Sequence, residues 1–270
     1  MESTRKMRSV RWLGGEALPG VDPLVVEEPL EIRLGGEPVA VTMRTPDHDF
    51  DLAAGFLFTE GILSRPNQLG SIVRCSDPGN PDRENIVDVV PAEGAAIPSR
   101  GWQRHFYSTS SCGVCGKSSI AAIRTAAPPL ADPSSFGPES IYMLPDRLRA
   151  AQALFAETGA LHGAALFSSA GELLRLREDV GRHNAVDKVI GASFLAEEIP
   201  LRGRMLVVSG RASFEIVQKA LMAGIPAVMA VSGASSLAVD LAQEAGMLLI
   251  GFLRGRSMQV YAGSDRLLRT

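Results

Sequence analysis

Two cysteines set three apart, Cys112 and Cys115, are the residues best placed by type and spacing to do chemistry. They lie in Ser108-Thr109-Ser110-Ser111-Cys112-Gly113-Val114-Cys115-Gly116, with Lys117 immediately after. The pair has four conceivable uses. A zinc site wants two further ligands, and Cys75, His48, His105, His162 and His183 are the candidates, none of them in a paired spacing. A thioredoxin-like pair follows a strand within a βαβ unit, whereas this one sits in a polar, glycine-rich loop. Two small buried residues would fit poorly beside so many hydroxyls and a lysine. The fourth use is a nucleophilic cysteine that carries a group. A helix beginning after Gly116 and the ammonium of Lys117 both favour the thiolate, the reactive form. The nucleophile ranks first and the metal second.

A second group of residues lies at loops that follow strands and lead into helices. These are Gly181-Arg182-His183-Asn184, Ser209-Gly210-Arg211-Ala212-Ser213 and Ser232-Gly233-Ala234-Ser235-Ser236. Phe252-Leu253-Arg254-Gly255-Arg256-Ser257 adds two guanidinium groups after the last parallel strand. In open α/β sheets ligands bind beyond the carboxyl ends of strands, and helix-initial N–H groups attract anions. Each loop alone reads as caps and turns; their number makes a phosphate- or pyrophosphate-bearing ligand an equal reading. These segments are expected to converge on one cleft, with Phe252 against an apolar part of the ligand.

The elements that must position these residues follow from periodicity. Extended runs are expected at Leu24 to Glu28, Glu31 to Leu34 and Val39 to Met43, with Gly35-Gly36 as a tight hairpin turn. Asp49 is expected to cap a helix carrying Phe50, Ala53, Ala54, Leu57 and Phe58, and strands follow at Ile72 to Cys75 and Asn85 to Val90. Cys75 reads as a small buried residue at a strand end. Four prolines between Ala126 and Pro138 mark a linker.

Beyond it, a helix over 144–158 precedes strands over 164–167 and 172–177. A helix over 182–197 follows, its stripe of Val186, Val189, Ile190 and Phe194 reading as core. Strands over 205–208, 227–231 and 248–253 then alternate with helices starting near Ser213 and Ser235, and an edge strand is expected over 258–261. The class is α/β: a C-terminal mixed sheet flanked by helices, plus a smaller β-rich N-terminal domain. The expected divisions are a loose tail over 1–20, the β-rich domain over 21–107, the cysteine loop and linker over 108–140 and the α/β domain over 141–270.

The element order of that last domain resembles the cytidine-deaminase-like fold, which allows a direct test. Zinc deaminases need His or Cys with a nearby Glu at one helix start and Pro-Cys-x-x-Cys at the next. Here the first start offers His183 without the Glu and the second offers no cysteine, so deaminase chemistry is excluded.

Composition narrows the class further. The 270 residues are 46% hydrophobic and 21% charged, enough apolar content for a sizeable core. The formal net charge of −3 argues against general nucleic-acid binding, and no apolar run is long enough to cross a membrane. The start carries Arg5, Lys6, Arg8 and Arg11 with no apolar stretch behind them, unlike a secretory signal, so a cytoplasmic protein is expected. There are four lysines against 23 arginines. Arginine forks suit phosphate, but a G+C-rich genome gives the same bias.

Ser111-Cys112-Gly113-Val114-Cys115-Gly116-Lys117 resembles the signature loop of the FdhD-type formate dehydrogenase accessory proteins, which are sulfurtransferases. Further blocks are similar in the same order: Arg44-Thr45-Pro46, Asp51-Leu52-Ala53-Ala54-Gly55-Phe56-Leu57 and Glu60-Gly61-Ile62. They continue with Thr158 to His162, Glu178 to Lys188, Ser209-Gly210-Arg211 and Gly251 to Gly255. The resemblance implies a sulfur carrier that takes persulfide sulfur from a cysteine desulfurase and passes it to Mo-bis(molybdopterin guanine dinucleotide) before that cofactor enters formate dehydrogenase. It implies Cys112 as the persulfide carrier and Cys115 as an assisting residue. It also implies cofactor binding by Phe252, Leu253, Arg254, Gly255, Arg256 and Ser257, and a homodimer. The cysteine loop over 108–116 is expected to be exposed and mobile, giving the carrier its reach. A metal-dependent hydrolase or redox enzyme built on the cysteine pair, and a passive molybdenum-cofactor chaperone, are the alternatives.

Overall fold

A computed structural model describes residues 2–97 and 130–268. Cys112, Cys115, Lys117 and the whole loop over 108–116 lie outside the described residues, as does His105.

The chain opens on strands β1 (Thr4–Leu13) and β2 (Glu16–Val25), an antiparallel ribbon. The expected loose tail over 1–20 is therefore corrected. Gly14-Gly15 supplies the turn with φ of 61° and 93°, the same device read correctly at Gly35-Gly36. No separate strand occupies 24–28: β2 ends at Val25 and the next strand begins at Glu28.

Strands β3 (Glu28–Leu34), β4 (Glu37–Arg44), β5 (Leu69–Arg74) and β6 (Ile86–Pro91) make a sheet of order β4-β3-β6-β5, and β3 runs parallel to β6. Helix α1 (Asp49–Thr59) packs on it. Asp49 is not the cap: His48 holds that position in the left-handed region, and Asp49 is buried as the first helical residue. Its carboxylate takes the fork of Arg44 (2.8 and 3.1 Å) and Nη2 of Arg74 (2.9 Å). Burial works against that charge, but the two guanidinium groups outweigh it and hold the carboxyl below its ordinary range. A depressed folded-state value contributes stability that is complete above the unfolded-state value and lost as pH falls toward the folded one. Asp49→Asn should therefore cost about 3 kcal/mol at neutral pH. The deficit should shrink below pH ~4, where the wild type loses the same term; urea titrations across pH measure both.

The second half begins with three short helices, α2 (Pro138–Tyr142), α3 (Leu144–Ala151) and α4 (Ala153–Thr158). The single helix expected over 144–158 breaks at Gln152 (ψ 83°), where the Glu178 carboxylate accepts the N–H groups of Leu154 and Phe155 and caps a new start. Strands β7 (His162–Ser168) and β8 (Leu173–Asp179), helix α5 (Arg182–Leu195), strand β9 (Arg204–Val208), helix α6 (Phe214–Met222) and strand β10 (Ala227–Ala230) follow. Helix α7 (Ser236–Ala245) and strands β11 (Leu248–Arg254) and β12 (Ser257–Ala262) complete the unit. The sheet order is β12-β11-β10-β9-β7-β8, with β9, β10 and β11 parallel and β7 antiparallel between β9 and β8. This is the predicted α/β class, a mixed sheet flanked by helices.

Strand alternation sorts the core into two layers. Ala164, Leu166, Leu206, Val208, Val228 and Leu249 face the layer of α5, α6 and α7, with Val186, Val189, Ile190 and Phe194 fully buried. Ala165, Phe167, Met205, Val207, Met229 and Ile250 face Phe136, Ile141, Leu144 and Leu148 on the other side. The first layer also takes in Leu30, Ile32, Leu52 and Leu57, so one cluster joins both halves. Helices α1 and α5 make the join, and Gly55 and Gly191 let their backbones touch.

Candidate functional site

Because β8 and β9 are both antiparallel to β7, β8 runs the same way as β9, β10 and β11. The carboxyl ends of those four strands and the amino end of β7 therefore share one edge of the sheet. That edge collects the start of α5 after Gly181, the start of α6 after Ser213 and the start of α7 after Ser235.

Hydrogen bonds from backbone N–H groups stitch these loops together. Gly163 N–H donates to Ser209 Oγ (2.9 Å), Ala212 N–H to the Gly233 carbonyl (3.1 Å) and Ser235 N–H to the Ala212 carbonyl (3.0 Å). Phe252 N–H donates to the Ser232 carbonyl (2.9 Å), which brings the last strand's end beside the α7 loop. Phe252 itself has φ 49°, is 45% exposed and lies against Gly233, where a Cβ would come within 3.0 Å of its ring. The Arg254 guanidinium stands 5.8 Å from the centre of that ring.

The convergence takes in His183, Ser209 to Ser213, Ser232 to Ser235, Phe252 and Arg254. Arg256 is directed elsewhere. Across the β11–β12 turn its fork binds both oxygens of Glu139 (2.8 and 2.5 Å) and lies over Tyr142 of α2. Ser257 pairs with Arg254 in the turn, Gly255 takes φ 53° to make it, and Leu253 is core.

The inner part of the edge carries a partly buried guanidinium. Arg182 reaches toward Gly210 and His162, and its buried Nε has no hydrogen-bond partner. His162 is lowered from the ordinary histidine range, first by burial and then by the charge of Arg182. His183 lies 3.3 Å from Ser213 Oγ and 3.5 Å from a Glu215 oxygen. An arginine with an unsatisfied N–H, a neutral imidazole and helix-initial N–H groups can hold an oxyanion. Among the described residues no group of three or more His, Cys, Asp or Glu is placed to hold a metal ion.

Sequence reasoning missed the buried ions beneath this edge. Lys188 binds Asp179 (2.7 Å) and the Thr45 carbonyl (2.8 Å), while Asp179 also accepts the N–H groups of Thr45 and Gly181. The Arg44-Thr45-Pro46 and Glu178-to-Lys188 blocks are thus two sides of one junction that fixes the start of α5. Lys219 is the second such centre, with Asp187 (2.9 Å), Thr59 (3.0 Å), Glu60 (3.5 Å) and Glu215 (3.7 Å) around it. Burial alone would pull the Lys219 ammonium down; the three carboxylates raise it above the ordinary lysine range. The signal was available, since only four lysines occur and two of them are here. Cys75 is partly exposed rather than buried.

Against known proteins, the FdhD/NarQ family pattern matches residues 25–268. The chain is 54% identical over 268 residues to the sulfur carrier protein FdhD of Streptomyces coelicolor, covering 97% of this chain and 95% of that one. It is 49% identical over 268 residues to the protein of the same name in Mycobacterium tuberculosis, covering 96% and 97%. A crystal structure from Desulfotalea psychrophila, described as a formate dehydrogenase accessory protein, superposes with a TM-score of 0.78 at 25% identity. The match covers 99% of this chain and all of that one. The chain belongs to the FdhD/NarQ family.

Proposed function

We propose that this protein is a sulfur carrier acting in the cytoplasm, as a homodimer, in the maturation of formate dehydrogenase. Cys112 thiolate attacks the terminal sulfur of a cysteine desulfurase persulfide; the S–S bond breaks, the desulfurase cysteine leaves as thiolate and Cys112 holds the persulfide. The sulfur then passes to Mo-bis(molybdopterin guanine dinucleotide), the substrate, before insertion into formate dehydrogenase. Cys115, three residues on, assists the transfer: its thiolate attacks Sγ of Cys112, the bond from that Sγ to the terminal sulfur breaks, the terminal sulfur leaves at the sulfide level for the molybdenum, and a Cys112–Cys115 disulfide accounts for the two electrons.

The observation that carries this reading is the Ser111-to-Lys117 motif in a chain that matches, over nearly its full length, relatives named as sulfur carriers. The sheet edge supports the cofactor half. Helix starts and Arg182 suit the phosphates of the guanosine diphosphate arm, and the exposed ring of Phe252 suits an apolar part. Formate dehydrogenase activity in cells whose own copy is replaced by Cys112→Ala tests the reading. Activity should be abolished while the variant accumulates as folded protein; full activity would remove Cys112 from the carrier role.

The two C-terminal arginines are expected to contribute unequally to cofactor binding. Changing both Arg254 and Arg256 to Ala should weaken guanosine diphosphate binding without blocking persulfide formation. Because Glu139 already occupies the fork of Arg256, Arg254→Ala alone should account for most of the loss, about tenfold or more in affinity. Calorimetric titration of the double and single variants measures it, and unchanged affinity in the double variant would place the nucleotide elsewhere.

A further inference from the structure

The β1–β2 ribbon is poorly covered by its own chain. Met7, Val10, Trp12, Leu13, Leu18 and Val21 are between 44% and 72% exposed. A two-stranded ribbon is marginal in water by itself. Its two edges differ. The closing pair Leu13–Glu16 flanks a two-residue turn, so pairs alternate from there between bonded and non-bonded. Pro19 opposite Val10 and Pro23 opposite Lys6 fall in non-bonded pairs, with their nitrogens turned outward. The outer edge of β2 is thereby denied two donors, and β2 is also the strand that packs on α4. Strand β1 contains no proline. Its outward-facing N–H and C=O groups, at Thr4, Lys6, Arg8, Val10 and Trp12, meet no other strand among the described residues. Such an edge is a template for one more strand.

We propose that this edge pairs with β1 of a second copy, joining two ribbons into a four-stranded antiparallel sheet about a two-fold axis at Ser9. The inference deepens the homodimer part of the function reading and rests on it. Antiparallel self-pairing is isologous and closes at two copies. Only registers that set outward-facing residues opposite one another can form the ladder, and charge selects among them. Centring on Arg8 sets Arg8 against itself and Arg5 against Arg11; centring on Met7 sets Lys6 against Arg8. Like charges directly opposite are destabilising. Centring on Ser9 sets Lys6 against Trp12, Arg8 against Val10, Met7 against Arg11 and Arg5 against Leu13. Each cation then faces an apolar or aromatic side chain, and the pairing runs from Arg5 to Leu13. Centring on Val10 also avoids like charges but gives a shorter ladder.

Sedimentation equilibrium of the full-length protein tests this with two variants. In Val10→Pro the proline nitrogen faces outward, so the ribbon keeps its own ladder while the open edge is blocked. The dimer dissociation constant should rise at least about tenfold. In Ser9→Cys the two thiols face each other across a non-bonded pair, where Cα atoms lie about 4.5 Å apart, within disulfide range. Mild oxidation should then give a covalent dimer that wild type, with its three native cysteines, does not form. A dimer unaffected by Val10→Pro and not cross-linked through Ser9→Cys would overturn the edge pairing and leave a homodimer built on another face. A monomeric wild type would overturn both.

Discussion

Gly191→Ala should lose about 3 kcal/mol of stability, although Gly191 lies inside helix α5, where alanine is ordinarily favoured by about 1 kcal/mol. A Cβ at this position would fall 1.8 Å from the Asp51 carbonyl oxygen and 2.5 Å from the Gly55 nitrogen. Both are backbone atoms of α1, so no side chain can swing away. The helices would have to separate, opening a core in which Leu52, Ala53, Leu57, Val186 and Ile190 are fully buried. The cost reaches function because α5 begins at the candidate site and α1 anchors the N-terminal sheet. Denaturant unfolding measures the loss. A variant as stable as wild type would contradict the close crossing.

Lys219→Met should cost a similar or larger amount, about 3–5 kcal/mol. The side chain is 3% exposed, and its replacement strands Asp187, Glu60 and Glu215, each no more than 8% exposed, without their shared cation. The pH dependence distinguishes this from lost packing. In wild type the raised ammonium keeps its contribution through neutral pH and loses it only as pH climbs past the unfolded-state lysine value. In the variant, Asp187, which burial already pushes upward, can hold a proton in the folded state. Its deficit should therefore be greatest from neutral pH up to the unfolded-state lysine value, shrink above that value as the wild type loses the same contribution, and shrink again as pH falls toward about 5. A pH-independent deficit would reduce Lys219 to a space-filling role.

Much of the fold was legible because short-range rules decide it. Gly35-Gly36 fixed the β3–β4 turn, and Val186, Val189, Ile190 and Phe194 marked the buried stripe of α5. Ser235 and Gly246 cap α7 as their types require. The β1–β2 ribbon escaped because its residues are exposed on both faces, so no apolar–polar alternation marks it. Asp49 was misread as a cap because its partners Arg44 and Arg74 come from strands that only the tertiary fold brings near. The break at Gln152 has the same origin, since Glu178 of β8 supplies the cap. At the candidate site the loops at helix starts were legible as small, polar and basic segments. The divergence of Arg256 toward Glu139 was not, because Glu139 is 117 residues away in sequence. Nor was the Lys188–Asp179–Thr45 junction, which joins parts of the chain that periodicity treats separately.

Sulfur loading onto Cys112 is the claim on which the functional reading turns. Purified protein incubated with a cysteine desulfurase and free cysteine, then digested and analysed by mass spectrometry, shows directly whether the thiol carries sulfur. One added sulfur on the peptide containing Cys112, lost on reduction and absent from Cys112→Ala, is the predicted result. No added sulfur on that peptide, with guanosine diphosphate still bound, would contradict a carrier and leave a passive cofactor chaperone.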